Sequence, residues 1–204
     1  MMFIKKNKML NIVLFGSPGA GKGTQSQKII QKYNLMHLST GDILRNAIER
    51  QTPRGIEAKK YMDRGELVPD EVVIGIIGRR LDEFRDKTNG FVFDGFPRTK
   101  IQARELDDML TERGTSITLM MALEVEHSEL VNRLTNRGKS SGRPDDQGIE
   151  IIKNRITIYN ERTKNVMDYY KAQQKYFGID GMGTVDEIFD RISNTINQQM
   201  PKAK

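Results

Sequence analysis

The chain has 204 residues, enough for one α/β domain with small insertions and a core that needs neither disulfides nor metal to hold it. It contains no cysteine, which excludes a disulfide framework, a cysteine-ligated zinc and a cysteine nucleophile together. Thirty-three Lys+Arg against 27 Asp+Glu leave a net charge of +6, which suits nucleic acid, an acidic membrane or a nucleotide phosphate without choosing among them.

Lys5, Lys6 and Lys8 ahead of the apolar Met9–Phe15 imitate the charged and apolar regions of a secretory signal. Asn11 interrupts that run, however, no small-residue cleavage site follows, and the run stops at Gly16-Ser17-Pro18-Gly19. The pattern predicts a buried strand entering a turn, then a helix over Gly21–Tyr33. Nothing in the chain approaches the roughly 20 apolar residues of a membrane span.

Apolar runs recur at Leu35–Ser39, Gly90–Asp94, Ile117–Leu123 and Lys175–Asp180, with helix-like stretches between most of them. That alternation predicts βαβ units and a parallel sheet covered by helices on both faces. Two segments break the rhythm. Gly41–Arg64 reads as two short helices broken at Thr52-Pro53, a small helical insertion. Gly138–Gly142 reads as a short mobile loop between the helical Glu126–Thr135 and a long helix from about Ile149. Thr184 and Glu187 fit a capping box, so a last helix is expected from Val185 to Asn197, with a frayed Met200–Lys204 tail.

Gly16-Ser17-Pro18-Gly19-Ala20-Gly21-Lys22 fits G-x-x-x-x-G-K between a strand and a helix. Glycines let successive backbone N–H groups converge on phosphate oxygens, the helix N-terminus adds partial positive charge, and Lys22 reaches the outer phosphates. This is a cradle for a nucleoside triphosphate. The residue after Lys22 is Gly23 rather than Ser or Thr, with the hydroxyl displaced to Thr24, so direct Mg²⁺ ligation by that side chain is not expected. Asp94 ends the strand at Phe91-Val92-Phe93 and is the natural anchor for Mg²⁺ through water. Arg98 follows across Phe96-Pro97. Arg133 and Arg137 lie four apart on one helix face, Arg143 just past the flexible loop and Arg155 on the next helix. Arginine forks match the oxygens of a phosphoryl group in transfer.

Beyond these features, Gly16 to Gln25, His37 to Asp42, Asp94 to Thr99, Arg143 to Asp146 and Asp180-Gly181 resemble the ordered hallmarks of the adenylate kinase family, in its short-lid form. The resemblance covers essentially Leu10 to Asn197 and includes the Gly23-Thr24 departure from the strict phosphate-loop motif. It implies a P-loop three-layer α/β fold with five parallel strands. The core would be residues 1–38, 69–135 and 147–204, the AMP-binding insertion 39–68 and the lid 136–146. It also implies roles. Gly19, Ala20, Gly21, Lys22, Gly23 and Thr24 would hold the ATP phosphates, with Arg133 against the adenine, Arg137 on phosphate and Gly183 offering backbone to the base. Thr40, Arg45, the backbone of Glu66, Leu67 and Val68, the Gly95-Phe96-Pro97-Arg98 segment and Gln102 would hold AMP. Arg143 and Arg155 would close over the transferring group, with Lys22, Arg98 and Asp94 completing the catalytic set.

The expected reaction is reversible, Mg²⁺-dependent phosphoryl transfer from ATP to AMP giving two ADP, in the service of adenine nucleotide homeostasis. Its partners are ATP and AMP, with no nucleic acid or membrane, and a cytoplasmic monomer is the family expectation. The alternative is a UMP/CMP kinase, which typically has Ala at the Thr40 position and Asn at the Gln102 position. Gln can donate to and accept from an adenine edge at once. Without cysteine, the long lid's structural zinc is not expected. Arg155 stands one residue further from Asp145-Asp146 than is usual, a slip of about 100° on a helix, so the extra residue must be absorbed near Gly148. Asn165 occupies a position where the family often has proline. His37 and His127 need no catalytic role. A GTPase would read guanine with an Asn/Thr-Lys-x-Asp segment, and none is convincingly placed. A nucleic-acid module would show a stacking stripe, and the aromatic residues form none.

Overall fold

In the computed structural model the described residues are 9–141, 143–146 and 148–200. The lysines ahead of the first strand, Gly142, Gln147 and the tail beyond Met200 lie outside them.

Strand β1 (Ile12–Gly16) is buried along its whole length, and its side chains alternate between two cores. Val13 and Phe15 join one, Ile12 and Leu14 the other, which is why the run is continuously apolar rather than alternating. Around it the sheet is ordered β2 (Met36–Ser39), β3 (Phe91–Asp94), β1, β4 (Leu119–Glu124), β5 (Tyr176–Asp180), all parallel. Helices α1 (Lys22–Tyr33) and α9 (Val185–Gln199) cover one face through Ile29, Ile188, Ile192 and Ile196. Helices α4 (Asp70–Phe84), α5 (Lys100–Glu112) and α8 (Val166–Ala172) cover the other through Ile77, Leu81, Leu106, Leu110 and Tyr170. The expected three-layer α/β fold is the observed one, with strand bounds shifted by one to three residues where they differ.

Asn11, which interrupts the first apolar run, is fully buried and fully used. Its Nδ2 donates to Thr115 Oγ1 (2.9 Å) and to the Ser116 carbonyl (3.0 Å), and its Oδ1 accepts the Phe91 N–H (3.2 Å). It ties the start of β1 to β3 and to the chain entering β4, so its burial costs little.

The insertion is two helices, α2 (Thr40–Glu49) and α3 (Pro53–Met62), parted where Thr52 caps the second and proline takes its first turn. The mobile loop expected at Gly138–Gly142 is corrected: α6 runs unbroken from His127 to Ser141. Tertiary packing overrides the weak helix propensity of Gly138, because a β-carbon there would meet the Asp146 carbonyl at 2.5 Å. A 3₁₀ turn (Pro144–Asp146) and α7 (Ile149–Ile158) follow, and Leu134, Ile152 and Ile156 form a small separate core between α6 and α7. A π turn (Tyr159–Thr163) links α7 to α8, and Asn165 Nδ2 donates to the Glu161 carbonyl across it (2.8 Å). The capping box at Thr184 and Glu187 is present, and α9 extends to Gln199.

Candidate active site

The sheet register sets the site. Asp94 is level with Leu14 of β1 and Ser39 of β2, so the loop after β1, the carboxylate ending β3 and the start of α2 meet at the C-terminal edge. Gly19 (φ +85°) and Gly21 (φ +94°) take left-handed backbone, and a β-carbon at Gly19 would press the Leu130 carbonyl at 2.9 Å. Only glycine suits these two turns of the loop. Gly21 caps α1, Ala20 is buried, and Gly23 and Thr24 are exposed on its first turn with open space beside Gly23.

Lys22 Nζ donates to the carbonyls of Gly16 (2.8 Å) and Ser17 (3.1 Å), which holds the ammonium at the loop's mouth. Burial pushes its pKa down to about 8, against the pull of Asp94 and with the repulsion of Arg98, Arg155 and Arg137. Arg98 is driven down to about 10, first by burial and then by Arg155; its Nε donates to the Gly95 carbonyl (2.7 Å). Cations crowded against one another in this way wait for an anion. Asp94 is buried, and among the described residues only His37 Nε2 approaches its carboxylate, at 3.4 Å. An acceptor-only group with vacant lone pairs beside a phosphate loop fits the water shell of Mg²⁺.

A pocket opens beside the loop. Its lining brings together Lys22, Thr40, Arg45, Glu66, Leu67, Val68, Gly95, Phe96, Pro97, Arg98, Gln102 and Arg155. Thr40 Oγ1 donates to the Gly95 carbonyl (3.0 Å), joining α2 to the turn after β3. The Gly65 and Glu66 N–H groups donate to the Met62 and Tyr61 carbonyls (3.0 Å each), so the chain entering Glu66–Val68 is tied to the end of α3. Sequence reasoning missed Phe15 and Tyr159, whose rings meet at 5.6 Å in the pocket wall, and Asp70, which bonds Gln102. The position of Asp70 at the first residue of α4 was the only signal available.

Arg133, Arg137, Arg143 and Gly183 do not line that pocket. Arg133 lies on the other side of the loop, pairing with Glu129 (2.7 Å) and reaching the Gly181 carbonyl (3.4 Å) near Gly183. Arg137 grips Asp146 by two bonds of 2.6 and 2.9 Å, and Arg155 pairs with the same carboxylate and with Asp145 (3.2 Å). Burial alone would raise Asp146, but Arg137 and Arg155 outweigh it and hold its carboxyl below the usual range. Gly148 takes φ +101° at the N-terminus of α7, and Arg155 of that helix lines the pocket. Arg143 lies 3.7 Å from Asp42, and Arg45 pairs with Asp42 and lies 3.8 Å from Asp145.

A phosphate loop at the C-terminal edge of a parallel sheet, faced by Arg98, Arg137 and Arg155 from three other segments and flanked by a pocket, defines a P-loop phosphotransferase of the nucleoside monophosphate kinase class. The adenylate kinase family model matches residues 14–175. The chain is 49% identical to an adenylate kinase of Parabacteroides distasonis over 93% of its length and 98% of the relative's. It is 50% identical to one of Flavobacterium psychrophilum over 93% and 99%, and 46% identical to one of Azobacteroides pseudotrichonymphae over 93% and 98%. The chain belongs to the adenylate kinase family.

Proposed function

We propose that the chain transfers the terminal phosphoryl group of Mg²⁺·ATP to the phosphate of AMP, reversibly, giving two ADP. An AMP phosphate oxygen bonds to the γ-phosphorus in line as the bond to the β-phosphate oxygen breaks, and ADP leaves. The acceptor is already a nucleophile, so no general base and no covalent enzyme intermediate are needed.

The observation that carries this reading is the convergence of the phosphate loop and the adjoining pocket on shared cations. Lys22 and Arg155 line the pocket and also face the loop, so a phosphoryl group passing between the seats stays within their reach. Gly19 to Thr24 bind the donor's phosphates through backbone N–H groups, Arg137 neutralises them, Arg133 and the Gly183 backbone flank its base, and Arg143 and Arg155 close over the transferring group. Thr40, Arg45 and Arg98 take the acceptor's phosphate, the Glu66–Val68 backbone and the Gly95–Pro97 turn shape its seat, and Gln102 meets its base. Asp94 would hold Mg²⁺ through water; the ion, when bound, neutralises charge between the outer phosphates. Residues 39–68 act as the acceptor-binding insertion and 136–146 as the lid that excludes water.

No helix among the described residues is long and apolar enough to cross a membrane, and no group of three His, Asp or Glu there could hold a metal. A cytoplasmic monomer without structural zinc accompanies the proposal. The test is to incubate the protein with Mg²⁺·ATP and each of AMP, CMP, UMP and GMP and follow diphosphate formation. AMP is expected to be the preferred acceptor; faster turnover of CMP or UMP would replace this reading by a UMP/CMP kinase.

A further inference from the structure

Gln102 is buried in the first turn of α5, and its side-chain amide is held from both ends. Its Oε1 accepts the backbone N–H of Arg98 at 2.7 Å, and its Nε2 donates to Asp70 Oδ1 at 2.8 Å. The other Asp70 oxygen accepts the Thr99 hydroxyl at 2.9 Å, and Thr99 Oγ1 accepts the Gln102 backbone N–H at 3.1 Å. An ionised carboxylate can only accept and a backbone N–H can only donate, so these neighbours decide which end of the amide is oxygen. One N–H and one oxygen lone pair remain, in a fixed left-to-right order, on a residue that lines the pocket.

That order matters because a carboxamide by itself does not tell amino-purines from oxo-purines. An adenine edge offers an exocyclic donor beside a ring acceptor. A hypoxanthine or guanine edge offers an exocyclic acceptor beside a ring donor in the same two places. A freely turning amide flips by half a turn and satisfies either. Here the flip would set Oε1 against the Asp70 carboxylate and the amino group against the Arg98 N–H, two repulsive contacts in a buried place.

We infer that Asp70 is a specificity-determining positioning residue: it locks the Gln102 amide in the one orientation that matches an amino-purine, and so makes the acceptor site reject oxo-purine monophosphates. This rests on the reading of Gln102 as the base contact.

The test measures initial rates of phosphoryl transfer from ATP to AMP and to inosine monophosphate, with the full chain and its Asp70→Asn, Asp70→Ala and Gln102→Leu variants, each checked by thermal melting. Asp70→Ala is expected to lower the AMP:IMP ratio of kcat/KM about tenfold, the size of one to two buried hydrogen bonds. Part of that change is a gain for IMP, which mere structural damage does not produce, and KM for ATP stays within about twofold because the donor seat is untouched. Asp70→Asn keeps the shape but can donate to a flipped amide, so it moves the ratio in the same direction by less; it decides the matter alone where Asp70→Ala does not fold. An unchanged ratio in the Asp70 variants, with a lowered ratio in Gln102→Leu, overturns the lock and leaves the base reading standing. An unchanged ratio in all three overturns both.

Discussion

Lys22 carries the conflict between stability and function in its sharpest form. Its ordinary pKa of 10.5 is lowered to about 8, chiefly by burial, so the folded chain holds this proton less tightly than the unfolded one. Between those values unfolding takes up a proton and stability rises with pH; below about 8 both states are charged and the full cost of the buried ammonium is present. Lys22→Met is therefore expected to lower phosphoryl transfer by at least about a hundredfold, since a preorganised charge on the transferring group is lost. Its melting temperature at neutral pH should equal or exceed that of the parent. Turnover within tenfold of the parent would refute the assigned role, and a clear fall in melting temperature would refute the account of the lysine's burial. Gln102 and Asp70 tell a related story: the family resemblance in the sequence proposes the amide as a base contact, whereas the carboxylate bonded to it, 32 residues away in the chain, carries no such signal.

At the scale of elements, the parallel sheet, its helices, the phosphate loop and the two-helix insertion were all legible, because each rests on a local pattern: a short apolar run, a glycine turn, a cap. What was not legible depends on contacts distant in sequence. Gly138 reads as a loop residue until the Asp146 carbonyl is found against it, and Asn11 reads as a break in a strand until Thr115, Ser116 and Phe91 are seen around it. The insertion has the same kind of hidden contact. A β-carbon at Gly55 of α3 would stand 2.0 Å from the Ala47 carbonyl of α2, so the two helices touch backbone to backbone. Gly55→Ala must force them apart, at a cost of about 1–3 kcal/mol by the usual scale of overpacking. Because α2 carries Thr40 and Arg45, the change should raise KM for AMP several-fold while KM for ATP hardly moves. Chemical denaturation and separate titrations of the two nucleotides check both halves; equal rises in both KM values would show that the helix pair does not act as the acceptor's seat.

Across the whole molecule, the insertion and the α6–α7 segment meet above the sheet through charge rather than through a shared apolar core. Asp42 stands between Arg45 and Arg143 and Asp145 between Arg155 and Arg45, which joins the two parts, while Asp146 between Arg137 and Arg155 ties α6 to α7 behind them. Asn154 adds a bond to the Arg64 carbonyl (2.6 Å), and the left-handed Gly65 leaves room for the stem of Arg155. This seam makes the assembly acid-sensitive in a defined direction. Burial would raise both Asp42 and Asp146, but their arginines outweigh it and hold both below the ordinary value of 3.8. A carboxylate lowered on folding stabilises the fold fully above its unfolded pKa, and that contribution is lost as pH falls through its folded pKa. Asp146 is the stronger case, since its side chain is wholly shielded from solvent and shared by two guanidinium groups. Asp146→Asn should cost about 3 kcal/mol near neutrality, the scale for breaking a buried ion pair. Urea unfolding of parent and variant across acid pH measures it: the gap between them is expected to close as the pH drops below the ordinary carboxylate range, because the parent is then protonated into the state the variant imitates. A gap as wide in acid as at neutrality would show that the charge of Asp146 does not hold α6 to α7.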